Sequence, residues 1–114
     1  MKLIIAGGRD EELSTFDLYK IALFCLVHDV SEIVNGGATG VDAQAAGFAT
    51  NAQIPIKVFH ADWEKHGKAA GPIRNAEMAA YADAVVLFPG GKGTESMYQE
   101  AKKAGIKIYD WRNG

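Results

Sequence analysis

Three glycine clusters, each set directly behind a short apolar run, constrain this chain more than any other feature. They are Gly7-Gly8, Gly36-Gly37-Ala38-Thr39-Gly40 and Gly90-Gly91-Lys92-Gly93-Thr94, and they follow Leu3 to Ala6, Ile33-Val34 and Ala84 to Phe88. Two further runs of the same kind are Ile56 to Phe59, opened by Pro55, and Ile106 to Tyr109. Short β-forming runs bounded by turn residues read as strands buried on both faces, the environment a parallel sheet supplies.

Stretches of helical period separate the runs. From Leu13 to Asp29, the side chains Phe16, Tyr19, Leu23, Leu26 and Val27 share one helical face, and Ser14 with Asp17 resembles a capping box at the start. Leu18, Ile21 and Cys25 form a second apolar stripe on the same helix, which fits either a subunit contact or wider burial. An alanine-rich helix follows Gly40, another is expected from Pro72 to Tyr81, and a last from about Thr94 to Ala104, ended by Gly105. Strand and helix therefore alternate along residues 1–114, with no linker, repeat or second domain. The expectation is a single α/β domain of about five parallel strands with helices on both faces.

In such a sheet every strand-to-helix loop leaves from the carboxyl edge, where ligands bind. The three glycine clusters are then expected to converge there, offering backbone N–H groups to an anion at a helix N-terminus. Charge gathers around them. Arg9 and Asp10 follow the first cluster and Asp42 the second. The long loop after the third strand carries Asp62, Trp63, Lys65, His66, Lys68, Arg74 and Asn75. With Arg9 and Lys92 this makes a basic cluster suited to phosphate, with Trp63 available to stack on a base. Neither GxxxxGK[ST] nor GxGxxG occurs, which disfavours an ordinary P-loop NTPase or dinucleotide oxidoreductase.

Composition removes other classes. A formal net charge of −2 argues against duplex DNA as a partner. The lone Cys25 excludes an internal disulfide, and His28, His60 and His66 lack metal-ligand spacing, so no metal or cofactor is expected. No apolar run approaches the roughly 18 residues of a membrane span, and the apolar stretch at the N-terminus is too short for a signal peptide. A cytoplasmic domain is expected.

The motifs Gly7-Gly8-Arg9-Asp10, Gly36-Gly37-Ala38-Thr39-Gly40-Val41-Asp42, Ala61-Asp62-Trp63, His66 through Asn75, and Pro89-Gly90-Gly91-Lys92-Gly93-Thr94 together resemble the YspA/YpsA-related branch of the SLOG superfamily. The resemblance covers nearly the whole chain. It implies a Rossmann-like domain that binds a nucleotide or nucleotide-derived ligand at the glycine edge, as a sensor or binding module. Relatives are often dimers, so a homodimer or higher homo-oligomer is also implied.

The superfamily includes the LOG-type phosphoribohydrolases, which cut the base from nucleoside monophosphates. Arg74 and Pro89 to Thr94 are similar to their signature, but Met97 stands where they carry a catalytic Glu. An N-glycosidase here would need a relocated carboxylate, drawn from Asp10, Asp42, Asp62, Glu77 or Glu95, to face the developing oxocarbenium ion. Asp42 and Asp62 have alternative uses, as ribose ligands or as caps of a turn and a helix. A further alternative, single-stranded nucleic-acid binding, rests on Trp63 and the loop lysines.

Overall fold

The computed structural model describes residues 1–113. Five parallel strands, β1 (Lys2–Ala6), β2 (Glu32–Asn35), β3 (Ile56–Val58), β4 (Ala84–Leu87) and β5 (Lys107–Asp110), form one sheet in the order β3-β2-β1-β4-β5. The helices are α1 (Thr15–Val27), α2 (Val41–Asn51), the single turn α3 (Trp63–His66), α4 (Ala70–Tyr81) and α5 (Lys92–Ala104). The expected α/β architecture is present. The loop after β3 is more ordered than its sequence suggests: it holds α3 and a 3-10 turn over Gly67–Ala69 before α4 begins.

Alternation along β1 divides the core. Leu3 and Ile5 face α1 and α2, packing with Ile21, Phe24, Val41, Ala45 and Ala49. Ile4 and Ala6 face α4 and α5, packing with Met78, Ala79, Met97 and Ala101. Burial on both faces holds for β1 and β4. At the edges it fails: β3 and β5 present exposed positions, because each has a neighbour on one side only.

The two apolar stripes of α1 are assigned the other way round from the simplest reading of their period. Leu18, Ile21, Phe24 and Cys25 face the sheet, whereas Phe16, Tyr19, Leu23, Leu26 and Val27 are 62% to 80% exposed. The capping box at Ser14 is formed: the Asp17 amide donates to Ser14 Oγ at 3.0 Å, and the Ser14 amide donates to Asp17 Oδ2 at 2.9 Å. That box fixes the helix start, and the sheet then takes the stripe carrying Ile21 and Phe24.

Strand order reverses direction at β1, so the loops after β1 and β4 flank a crevice at the carboxyl edge. The Gly8 amide ties them together by donating to the Pro89 carbonyl at 2.9 Å. On the other side, the Gly8 carbonyl accepts from the Val41 amide at 3.2 Å. Leu13 is clamped to α2 by a pair of bonds with one side chain: its amide donates to Gln44 Oε1 at 2.6 Å, and its carbonyl accepts from Gln44 Nε2 at 3.3 Å. Residues 9–12 thus span two fixed points.

Candidate functional site

The carboxyl edge carries a cleft with two lobes. The larger, about 420 Å3, is lined by Arg9, Gly36, Gly37, Ala38, Thr39, His60, Ala61, Trp63 and Arg74. The smaller, about 250 Å3, is lined by Gly7, Gly8, Arg9, Asp10, Ala38 and the turn from Gly91 to Thr94. Arg9 and Ala38 belong to both, so the lobes meet there. The three glycine clusters, far apart in sequence, are brought to one place by the strand order.

Close backbone approach builds the smaller lobe. A Cβ on Gly90 would collide with Thr94 Oγ1 and lie 2.7 Å from the Gly8 nitrogen, so only glycine lets the two loops meet. Both α2 and α5 begin at glycine N-caps, Gly40 and Gly91, with no side-chain cap. In α2 the first amide, that of Val41, is taken by the Gly8 carbonyl. The first turn of α5 lines the smaller lobe, and its uncapped N–H groups and positive helix end are the arrangement that attracts an anion.

The loop over the larger lobe is held from beneath by Asp42. Its Oδ2 accepts from the amides of Gly36 and Ala38, each at 3.2 Å, while Asn35 Nδ2 donates to the Asp42 carbonyl at 3.1 Å. Burial pushes the Asp42 carboxyl above its ordinary value; the two amides and the positive charges of Arg74 and Arg9 pull the other way. Asp42 therefore shapes the loop, and it lines neither lobe.

Arg74 is likewise largely committed to protein. Its Nη1 donates to the Gly36 carbonyl at 2.8 Å and to the Phe59 carbonyl at 3.3 Å, and its Nε donates to Asn75 Oδ1 at 2.9 Å. Burial lowers the guanidinium's proton affinity, and Asp42 opposes that. Nη2 has no protein hydrogen bond among the described residues, so Arg74 can offer a ligand one edge of its fork. Asn75, buried, passes its amide on to the Gly93 carbonyl at 3.3 Å and Ser96 Oγ at 3.1 Å, linking α4 to the glycine turn.

Other expected residues fall outside the cleft wall. Asp62 caps α3, accepting from the Lys65 amide at 3.1 Å. His66 and Lys68 line neither lobe; the turn of α3 carries them past it. Gly40 and Pro89 act through backbone contacts with Gly8 rather than as lining residues. His60 was passed over in the sequence and yet lines the larger lobe, its ring against Gly37. Its signal was position alone: it stands just beyond the end of β3, at the edge where all the loops emerge.

The carboxylate question narrows. Met97 is buried among Ile4, Val34 and Met78, and does not reach the cleft. Glu95 is 3.6 Å from Arg112, and Glu77 is exposed on α4. Of the five acidic residues considered, Asp10 alone lines a lobe. No group of three or more His, Cys, Asp or Glu residues able to hold a metal occurs among the described residues. Among them, too, no helix is long and apolar enough to cross a membrane.

Fold and cleft together define a Rossmann-like α/β domain with a glycine-walled crevice at its carboxyl edge. No family model matches the chain. It is 40% identical over 87 residues to the Gene 61 protein of Mycobacterium phage D29, a match covering 69% of this chain and 70% of that protein. The chain belongs to the family of that phage protein. Two solved structures share the fold. DNA processing protein A (DprA) of Streptococcus pneumoniae superposes with a TM-score of 0.73 at 15% identity over 96% of this chain, which spans about half (49%) of the DprA chain. TM1055, a structural-genomics target, superposes with a TM-score of 0.71 at 20% identity, covering 94% of this chain and 71% of its own.

Proposed function

We propose that this protein is a SLOG-type domain of the YspA/YpsA-related branch that binds a nucleotide or nucleotide-derived ligand without turning it over efficiently. The observation that carries the reading is the two-lobed cleft with Arg9 at its junction. The smaller lobe, walled by glycine backbone and the uncapped start of α5, suits phosphate; Arg9 supplies the charge. The larger lobe offers Trp63, half exposed at 51%, and His60 as flat surfaces for a base. No carboxylate lines the larger lobe, and Met97 lies in the core rather than the cleft, which supports binding over hydrolysis. The shared fold with DprA and TM1055 is compatible with this reading.

One observation favours a second reading. Asp10 lines the smaller lobe beside the glycine turn, and it is the carboxylate on which a nucleoside-monophosphate N-glycosidase would depend. Single-stranded nucleic acid is a third candidate ligand, through Trp63 and the loop lysines Lys65 and Lys68.

Thermal-shift titration against nucleoside mono-, di- and triphosphates, cyclic and linear dinucleotides and short oligonucleotides tests all three, with chromatography of each mixture. A ligand at a hundredfold excess over its Kd adds about 2.7 kcal/mol of stability. The proposal expects a shift with the ligand recovered intact, lost in Arg9→Ala and reduced in Trp63→Ala. Free base released by wild type and not by Asp10→Asn establishes the hydrolase instead. Shifts with oligonucleotides alone establish the third reading, and no shift with any compound refutes nucleotide binding.

A further inference from the structure

The two lobes of the cleft differ in charge as well as in size. Asp10 lines the smaller one, whereas the wall of the larger includes Arg9, His60 and Arg74 and no carboxylate. Asp42, the acid behind that wall, uses its Oδ2 on the amides of Gly36 and Ala38 and lines neither lobe. Three nitrogen-bearing side chains therefore face one cavity of about 420 Å3 with no acidic side chain among them.

Each of the three has a donor left over. Arg74 commits Nη1 and Nε to Gly36, Phe59 and Asn75, and those bonds fix the guanidinium fork while Nη2 has no protein partner among the described residues. A donor held still in this way asks little further ordering when a ligand arrives. The side-chain nitrogens of His60 and Arg9 make no hydrogen bond within the described residues either. An imidazole donates at least one N–H whether neutral or protonated. The His60 ring rests against Gly37, where a Cβ would come within 3.2 Å of Cε1, so glycine gives the ring its place. Arg9 and Arg74 already sense one another, since Arg9 is among the charges that lower the proton affinity of Arg74. An anion placed between them relieves that repulsion.

Resting on the nucleotide reading of the cleft, we propose that the larger lobe binds a second anionic group of the same ligand. The ligand class is then a nucleoside whose ribose separates two phosphates, as in a nucleoside 3′,5′-bisphosphate. One phosphate lies against the glycine turn of the smaller lobe, and the other meets Arg74 Nη2 and His60. Arg9, at the junction, serves both. The ribose is a branched connector: with its 5′-phosphate in the smaller lobe, the base and the 3′-oxygen both enter the larger one. The base takes the outer wall at the exposed Trp63, and the 3′-phosphate the half-buried end at Arg74. A 5′-diphosphate carries as many phosphates but keeps them on one side of the ribose, which leaves Arg74 and His60 unengaged.

Calorimetric titration of the full chain at one salt concentration compares the 5′-monophosphates, 5′-diphosphates and 3′,5′-bisphosphates of adenosine, guanosine, cytidine and uridine. A charge-assisted hydrogen bond to a fixed donor changes affinity about ten- to a hundredfold. For the preferred base, the 3′,5′-bisphosphate is therefore expected to bind at least about tenfold tighter than either companion. His60→Phe keeps a ring against Gly37 without its donors, and Arg74→Gln removes Nη2 together with the charge. Each is expected to lower the bisphosphate-to-monophosphate affinity ratio several-fold, a readout in which any shared effect on the base cancels. His60 is exposed, so its variant keeps the fold even where Arg74→Gln loosens the Gly36 loop. Equal affinities for monophosphate and bisphosphate, or a 5′-diphosphate that matches the bisphosphate, overturn the proposal and leave the nucleotide reading standing. A ratio that His60→Phe leaves unchanged does the same, as does binding confined to longer oligonucleotides. Failure of every compound to bind refutes both readings together.

Discussion

Asp42→Ala is the substitution whose effect can be followed furthest from coordinates to measurement. Asp42 Oδ2 is the acceptor for two amides, Gly36 and Ala38, that have turned away from any strand or helix partner. A hydrogen bond to a charged acceptor contributes about 1.5–3 kcal/mol, and at 3.2 Å each of these belongs at the lower end. Removing both costs about 3 kcal/mol, which the release of a desolvated carboxylate offsets in part. A net loss of about 2 kcal/mol, or about 8 °C in Tm for a domain of this size, is expected. Asp42→Asn should cost under about 1 kcal/mol, because both amides bond a single oxygen that asparagine keeps. The two variants also differ from wild type in pH response. Burial raises the folded-state pKa of Asp42 above its ordinary 3.8, so the folded chain holds this proton more tightly than the unfolded one. The stability this supplies is complete below 3.8 and is lost as pH rises through the folded value. Asp42→Asn lacks that loss, so it gains on wild type as pH rises through the window. Urea denaturation of all three proteins across the acid range reads every one of these quantities. An Asp42→Ala variant within about 0.5 kcal/mol of wild type, as an ordinary surface change would be, refutes the assigned role.

Two glycines of one segment should respond to alanine with opposite signs. Gly40 has φ 69° and ψ −126°, and its Cβ would meet the carbonyl oxygens of Gly8 and Arg9, so Gly40→Ala is expected to cost about 3 kcal/mol. Gly47, exposed within α2 with nothing within 4 Å of a Cβ, should gain about 0.5–1 kcal/mol on the same change, read from the urea midpoint. Burial pushes the Cys25 thiol up to about 11, so a disulfide reagent at neutral pH should modify it only on unfolding. Native-state labelling faster than global unfolding would contradict that burial.

Much of the fold was legible because each β-strand is announced by a short apolar run and closed by turn chemistry. Ser14 and Gly105, at the ends of α1 and α5, mark their helices through capping alone. The faces of α1 were not legible in the same way. Both its stripes are apolar, so period identifies a helix without saying which stripe the sheet takes; the outcome depends on how β1 and α2 present Leu3, Ile5 and Val41 to Ile21 and Phe24. Around the cleft, sequence located the loops but not the direction of side chains within them. Arg74 and Asp42 read as ligand-binding groups from type and neighbourhood, and the structure sets both to work first on the Gly36–Gly40 loop. His60 escaped notice because a single histidine after an edge strand carries no pattern, and only the curl of the Gly36–Gly37 backbone toward it makes it a wall.

The pair of hydrogen bonds between Leu13 and Gln44, with the hydrogen bonds of the Gly8 backbone, has a consequence for how such proteins diversify. Arg9, Asp10, Glu11 and Glu12 are all exposed, and the residues on either side of them are anchored by hydrogen bonds that do not involve their side chains. The four-residue span is therefore a cassette: its charges and sizes can be exchanged while its ends, and the core beneath, hold their places. The cleft wall that Arg9 and Asp10 supply can be changed there by grafting alone, without a compensating change in the sheet.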